Sequence, residues 1–460
     1  MLSDWRRRGV PAYAALADRI RLLIVDGRIP LGTRIPAERD CAAQLGISRT
    51  TVSAAYGELR ETGYLTSVRG SGSVARLPRR APVSIDSGTG DLLDLSKAAL
   101  PAAPGLSDAA ARALEDLPAY LGGTGFDPVG LPVLREAIAE RYRRRGLPTS
   151  ADEIMVTIGA QHAIALLSRT LIGRGDSAIV EVPTYPHAYE ALRHAGARLV
   201  PVSVTVEEGW DGLALEQAIR RSSPALAYLM PDFQNPTGRV MSVELRQSAL
   251  ELAARHGTRV VADETMAELS IDDEGLVEPL AVHGNAISVG SVGKTVWGGI
   301  RLGWIRAERP LIQKLVRGRM AGDLGTPILE QLIVTHLLAD YDAILQQRRS
   351  GLRAGRDHLF AALRSEFPDW TVPDVPGGLT AWVNLGLPVS SQLTIAARNH
   401  GLLLAAGPRF GIDGAFERFL RIPFSCTPEQ TDRAVAALSA AWRSLSPLAA
   451  GVQPYLSEVV

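Results

Sequence analysis

Lysine is nearly absent from this 460-residue chain: it occurs only at Lys97, Lys294 and Lys314, and arginine supplies the rest of the 49 basic side chains. Arginine is always protonated, so a lysine kept in such a chain marks a place where a titratable amine is wanted. Cysteine is scarcer still. Cys41 and Cys426 lie far apart and lack metal-ligand spacing, which excludes a disulfide framework or a zinc site and leaves two reduced thiols. No apolar run approaches the ~18 residues of a membrane helix, and MLSDWRRRGV has no apolar segment to make a signal peptide, so the expected location is the cytoplasm. What remains, 46% hydrophobic and 21% charged residues, describes a globular chain with room for two or three cores.

Net charge is zero overall but unevenly spread: residues 1–82 hold fourteen arginines against seven acids, a balance of +7, and the remainder carries −7. A basic head on an acidic body points to an anionic polymer as partner of the head alone. There, Leu16, Ile20, Leu23 and Ile24 recur at helical spacing up to a stop at Gly27. A second helix is expected from Pro36 through AERDCAAQL to Gly46. A third is expected from the N-cap Ser48 to Gly63. LGIS joins the last two as a helix-turn-helix, and YLTSV, RGSG and SVA read as strand, turn and strand, a wing. The third helix is the element that fits a major groove, with Ser48, Arg49, Thr50 and Thr51 leading and Arg34, Arg39 and Arg69 flanking it toward phosphate. Shape alone also allows a small protein-interaction domain. The run GTRIPAERDCAAQLGISRTTVSAAYGELRETGYL followed by RGSGSVA resembles the winged-helix DNA-binding domain of the GntR regulators. That resemblance implies double-stranded operator DNA as partner and Arg34, Arg39, Arg49 and the wing Gly70 as contacts. Ala37 stands where many members carry serine.

The domain is expected over residues 1–76, followed by a Pro-, Gly- and Ser-rich linker over 77–92, a large unit over 93–446 and a tail over 447–460. The large unit alternates helical stretches with the strand candidates EIMVTIG, SAIVEVP, RLVPVSV, LAYLMP, TRVVADE, AISVGS and LGWIRA. This is an α/β pattern with a mainly parallel sheet, whose ligands gather at carboxyl strand ends. Those ends carry Gly159, Ala160 and Gln161 at a helix start, Tyr185, Asn235, Asp263, and Ser291 with Lys294 and Arg301. Singly, each has an ordinary structural explanation. Together they meet the needs of pyridoxal phosphate: an amine (Lys294), a carboxylate for the pyridine nitrogen (Asp263), a donor to the phenolic oxygen (Asn235), a phosphate cradle (Gly159 to Gln161, Ser291, Arg301) and a ring-stacking aromatic (Tyr185). Arg421 is suited to a bidentate grip on an effector carboxylate.

In this order, FDPVGLPVLREAIAERY, TIGAQHAI, EVPTYP, QNPTG, VADE, SVGKTVWGGIRLGW and RIPFS resemble the fold-type I aminotransferase domain, and the fusion resembles the MocR-type regulators. The resemblance implies a winged helix-turn-helix before a pyridoxal-phosphate-binding large domain, a small α+β C-terminal domain mainly from about residue 320, and a domain-swapped homodimer. It also implies departures: Phe126 and Met266 occupy places where aminotransferases often carry tyrosine. The expected function is a regulator that senses an amine, an amino acid or pyridoxal phosphate itself through an aldimine on Lys294. An active aminotransferase with an accessory DNA-binding domain is the alternative.

Overall fold

The computed structural model describes residues 5, 11–25, 29, 33–68, 72–76, 92–272, 275, 277–412 and 414–449. Gly27, Arg69, Gly70, almost all of the expected linker and most of the tail lie outside them.

In the head, α1 (Ala12–Val25), α2 (Glu38–Leu45) and α3 (Arg49–Glu61) precede the antiparallel pair β1 (Leu65–Val68) and β2 (Gly72–Ala75), in register from Leu65↔Ala75 to Val68↔Gly72. The 3.6-residue spacing of Leu16, Ile20 and Ile24 lays one apolar stripe of α1 against Val52, Tyr56 and Leu59 of α3, and all six are buried. Tyr56 also donates its hydroxyl to Pro36 O at 3.0 Å, tying α3 to the start of α2. The Ser48 hydroxyl accepts the Thr51 N–H at 3.1 Å and caps α3, whereas Ala37 gives α2 no side-chain cap.

After the short β3 (Leu93–Asp94), the large unit contributes β4 (Ile154–Thr157), β5 (Ser177–Val182), β6 (Arg198–Thr205), β7 (Gly209–Trp210), β8 (Leu226–Leu229), β9 (Arg259–Asp263), β10 (Ile287–Ser291) and β11 (Gly303–Arg306). They form one sheet in the order β4-β11-β10-β9-β8-β5-β6-β7, with parallel pairing from β10 through β6 and antiparallel strands at both ends. The central strands are apolar and buried on both faces, as a sheet covered by helices on two sides requires. Because β5, β8, β9 and β10 run the same way, Tyr185, Asn235, Asp263 and Lys294 all follow strand ends at one edge of the sheet.

A second, smaller sheet of β12 (Thr380–Asn384), β14 (Ala405–Ala406) and β15 (Phe419–Pro423) runs in the order β12-β15-β14, while β13 (Leu402–Leu403) pairs with β3. Its core differs from the expected division at about residue 320. The helix Ile328–Ala339 and Ile344 and Leu345 of the next helix pack in the large core, and Leu352, Leu359, Phe360 and Leu363 of that same 26-residue helix pack in the small one. Leu95 and Ala98 also belong to the small core. A continuous helix carries no break in its local pattern where it passes from one core to the other, and so the sequence masks the boundary.

Candidate functional site

At this edge of the sheet the charged residues converge. Lys294, in the turn after β10, donates from Nζ to Ala98 O at 2.5 Å. Burial, reinforced by the like charges of Arg421 and Arg301 and opposed by Asp263, pulls its pKa from 10.5 down to about 8. Asp263 ends β9 and is buried. Its Oδ1 accepts the Thr265 N–H at 3.0 Å and the Thr265 hydroxyl at 2.6 Å, and its Oδ2 accepts the Tyr228 hydroxyl at 2.5 Å. Burial and this carboxylate hold the Tyr228 phenol far above its ordinary pKa, so it stays a donor. Two hydroxyls thus fix the carboxylate of Asp263 in one orientation.

Asn235 is buried with its Oδ1 unpartnered among the described residues. Its loop is held by Gln234, which donates to Pro183 O at 2.7 Å and Glu181 Oε2 at 3.2 Å, and accepts from the Thr237 N–H and hydroxyl. Glu181 also accepts from the Trp210 indole at 2.7 Å and Met230 N–H at 3.0 Å; complete burial still raises its pKa to about 7. A buried amide oxygen left without a partner in so well tied a loop is suited to a polar ligand.

The cradle is made of backbone. Gly159, at φ +76°, opens the helix Gly159–Leu171, and the Arg301 guanidinium lies over it, donating to Ile158 O at 3.4 Å. Gly303 pairs with Ser291 on one side and Thr157 on the other, and a Cβ there would fall 2.7 Å from Gly159 C and 2.8 Å from Ala160 N. Only glycine lets β11 pass this close beneath the helix start. Free N–H groups at a helix N-terminus beside an arginine favour a phosphate. Gln161 instead reaches the His187 carbonyl at 3.1 Å and leaves its Oε1 unpartnered. The Ser291 hydroxyl donates to Leu302 O at 2.9 Å and accepts Gly293 N–H at 3.0 Å, so it meets a phosphate only by giving up the Leu302 carbonyl.

Tyr185 follows β5, half-buried, and desolvation raises its phenol to about 12. Arg421, on β15, is buried. It donates from Nη2 to Ser96 O, leaves Nε unpartnered, and stacks 5.0 Å from the Phe410 ring centroid; burial lowers it to about 10. Residues 93–98 therefore form a strap anchored on β13, whose Ser96 and Ala98 carbonyls cap the two cations best placed to meet a ligand. Met266 is buried in the small core and Phe126 is 66% exposed.

Tyr228, Thr265 and the strap escaped the sequence reading. Tyr228 left a signal, the only hydroxyl in the apolar LAYL strand. Ser96 and Ala98 act through carbonyls and left none.

On the head, Ser48, Arg49 and Thr50 are exposed at the start of α3, and Thr51 is half-buried as the partner of its cap. Arg39 is 85% exposed beside Asp40, and Arg34 lies against the wing at Gly72. Among the described residues, no helix is long and apolar enough to cross a membrane.

The chain matches the family described as aminotransferase class I and II over residues 91–438, and the gntR family of bacterial regulatory proteins over residues 12–74. It is 28% identical over 443 residues to the HTH-type transcriptional regulator YdcR of Escherichia coli (strain K12), covering 89% of this chain and 94% of that one. It is 31% identical over 406 residues, 80% of each chain, to the probable rhizopine catabolism regulatory protein MocR of Rhizobium meliloti. Among solved structures, LysN, the alpha-aminoadipate aminotransferase of Thermus thermophilus complexed with N-(5'-phosphopyridoxyl)-L-leucine, superposes with a TM-score of 0.70 at 28% identity, over 79% of this chain and 96% of that one. Together with the site just described, these likenesses place the chain in the aminotransferase class I and II family, joined to a gntR-type head as in the MocR-like regulators, with pyridoxal phosphate as the cofactor that membership implies.

Proposed function

We propose that this protein is a homodimeric transcription regulator that holds pyridoxal phosphate on Lys294 and adjusts its grip on operator DNA when an amino acid or amine enters the same site. The residues fit that cofactor: an amine with a pKa lowered to about 8, an oriented carboxylate, an Asn235 amide whose oxygen is unpartnered among the described residues, and a cradle with no room for a Cβ. When bound, pyridoxal phosphate supplies an aldehyde carbon for amines and a ring that takes up electron density. Asp263 would hold a proton on the ring nitrogen, Asn235 Nδ2 would donate to the phenolic oxygen, Arg301 and the Gly159 helix start would hold the phosphate, and Arg421 would take the effector carboxylate.

The observation that carries the regulatory reading is the strap. It follows the expected linker in the chain, and its carbonyls sit on Lys294 and Arg421. Ligands that engage those cations compete with Ser96 O and Ala98 O, so occupancy and strap position are coupled, as differential affinity for two states requires. Dimerisation is supported by the exposed apolar side chains Leu121, Phe126, Met320 and Leu324, each more than half exposed, with Gly325 packed on the backbone of Asp127.

The test uses DNA selected from a random library by the cofactor-loaded protein, with amino acids then titrated in. Ligand-dependent affinity with little turnover supports the reading; sustained transamination with ligand-independent DNA binding supports the enzymatic one, which the depressed amine of Lys294 favours. On the selected DNA, Arg49→Ala weakens binding about tenfold, the scale of one base-edge contact. The cofactor spectrum is the internal control, and wild-type affinity in the variant removes Arg49 from the interface.

The amine sets a pH dependence. Lys294 loses its proton as pH rises through about 8, and only the neutral amine attacks an aldehyde. Capture of added pyridoxal phosphate by the empty protein accelerates up to pH ~8 and then levels off. An acceleration continuing to pH ~10 would show an ordinary exposed lysine.

A further inference from the structure

Among the described residues, Arg409 is the one half-buried cation beside this site without an assigned task. It lies in the single turn Gly407–Phe410, which follows β14, where Ala405 pairs directly with Arg421 of β15. Three contacts clamp this turn. The Gly407 N–H donates to the Ser390 hydroxyl at 2.9 Å, Thr184 N–H donates to Phe410 O at 3.0 Å, and the Tyr189 hydroxyl donates to the carbonyl of Arg409 itself at 3.2 Å. A Cβ on Gly407 would fall 2.0 Å from Phe416 O, so the backbone has no slack. The next residue, Phe410, stacks on Arg421, and Thr184 directly precedes Tyr185. Among the described residues, the Arg409 guanidinium has no carboxylate or carbonyl partner, and the Thr184 hydroxyl and Arg421 Nε in the same wall are buried and unpartnered. The Arg409 charge reaches Arg421 and, after burial, helps depress its pKa.

The charge inventory of the site is lopsided. Lys294, Arg301, Arg421 and Arg409 face Asp263, the more distant Asp94, which already pairs with Lys97 at 3.1 Å, and Glu190, which pairs with His187 at 3.0 Å. A cofactor phosphate answers Arg301 and one ligand carboxylate answers Arg421. Arg409, on a rigid turn, is answered by neither, and a guanidinium in that position binds a carboxylate better than a neutral amide of the same shape.

We propose that Arg409 is a specificity-determining residue that receives a second carboxylate, so that the effector is an acidic amino acid. This rests on the reading of Arg421 as the effector-carboxylate site and deepens it. L-Glutamate and L-glutamine differ only in that second charge. In titrations of the cofactor-loaded protein followed by its visible spectrum, glutamate half-saturates at a concentration at least tenfold below glutamine. Arg409→Gln brings glutamate to the level of glutamine, while Arg409→Lys, which keeps the charge and loses the fork, retains part of the preference. Equal response of the wild type to both, or an undiminished preference in Arg409→Gln, overturns the assignment. Calorimetry with glutarate and its monoamide, which need no amine chemistry, separates the two readings. If no amino acid alters the spectrum but glutarate binds at least tenfold tighter and Arg409→Gln removes that margin, Arg409 stands and the cofactor reading falls. Equal binding of both acids overturns the assignment of Arg409 even where the spectrum responds.

Discussion

Lys294→Ala abolishes covalent attachment of pyridoxal phosphate outright, because neither remaining lysine can replace it: Lys97 is 78% exposed beside Asp94, and Lys314 is exposed on the helix Arg309–Arg319. Borohydride reduction followed by peptide mass mapping reads this directly. The wild type carries the pyridoxyl mass on the peptide containing Lys294, and the variant carries it nowhere. Removing a half-buried ammonium whose one hydrogen bond goes to the Ala98 carbonyl relieves burial of charge, so the variant stays folded and sediments as the same dimer. Pyridoxyl label persisting in Lys294→Ala would sink the assignment, and a wild type that sediments as a monomer would sink the dimer.

Asp263→Asn is the second large effect. The substitution preserves shape but removes the charge proposed to pair with the ring nitrogen, and the Tyr228 and Thr265 hydroxyls are already committed to those two oxygens. Loss of one charge-assisted hydrogen bond in a buried setting costs about 1.5–3 kcal/mol, or roughly tenfold to a hundredfold in cofactor affinity. Equilibrium dialysis against pyridoxal phosphate, with Asn235→Ala for comparison, measures it. Wild-type affinity in Asp263→Asn would place the pyridine nitrogen elsewhere.

Much of this arrangement was legible before any coordinate, for reasons that differ between residues. The central strands declared themselves as short apolar runs because a sheet covered on both faces tolerates little else. Their polar terminators, Asp263, Asn235 and Lys294, were conspicuous against that background. The N-cap Ser48 was readable because capping is a local interaction between residues three apart. Ser291 was legible only as a residue type. That its hydroxyl is committed to Leu302, eleven residues on, depends on how the 291–302 turn folds back along β11. The small-domain division was hidden for the opposite reason, since a long helix satisfies its own backbone wherever the cores part. The Arg409 turn was hidden because its geometry comes from Ser390, Thr184 and Tyr189, residues distant in sequence.

The strap has one further consequence. On the proposed reading its two carbonyls are tethered occupants of the sites a ligand needs, held there at a fixed local concentration. Any effector must outbid them before it is registered, so the dose at which the protein answers is set jointly by the ligand's own affinity and by how firmly residues 93–98 sit on β13. Substitutions along that strap, touching no ligand, would then retune the response threshold of the regulator without altering what it recognises.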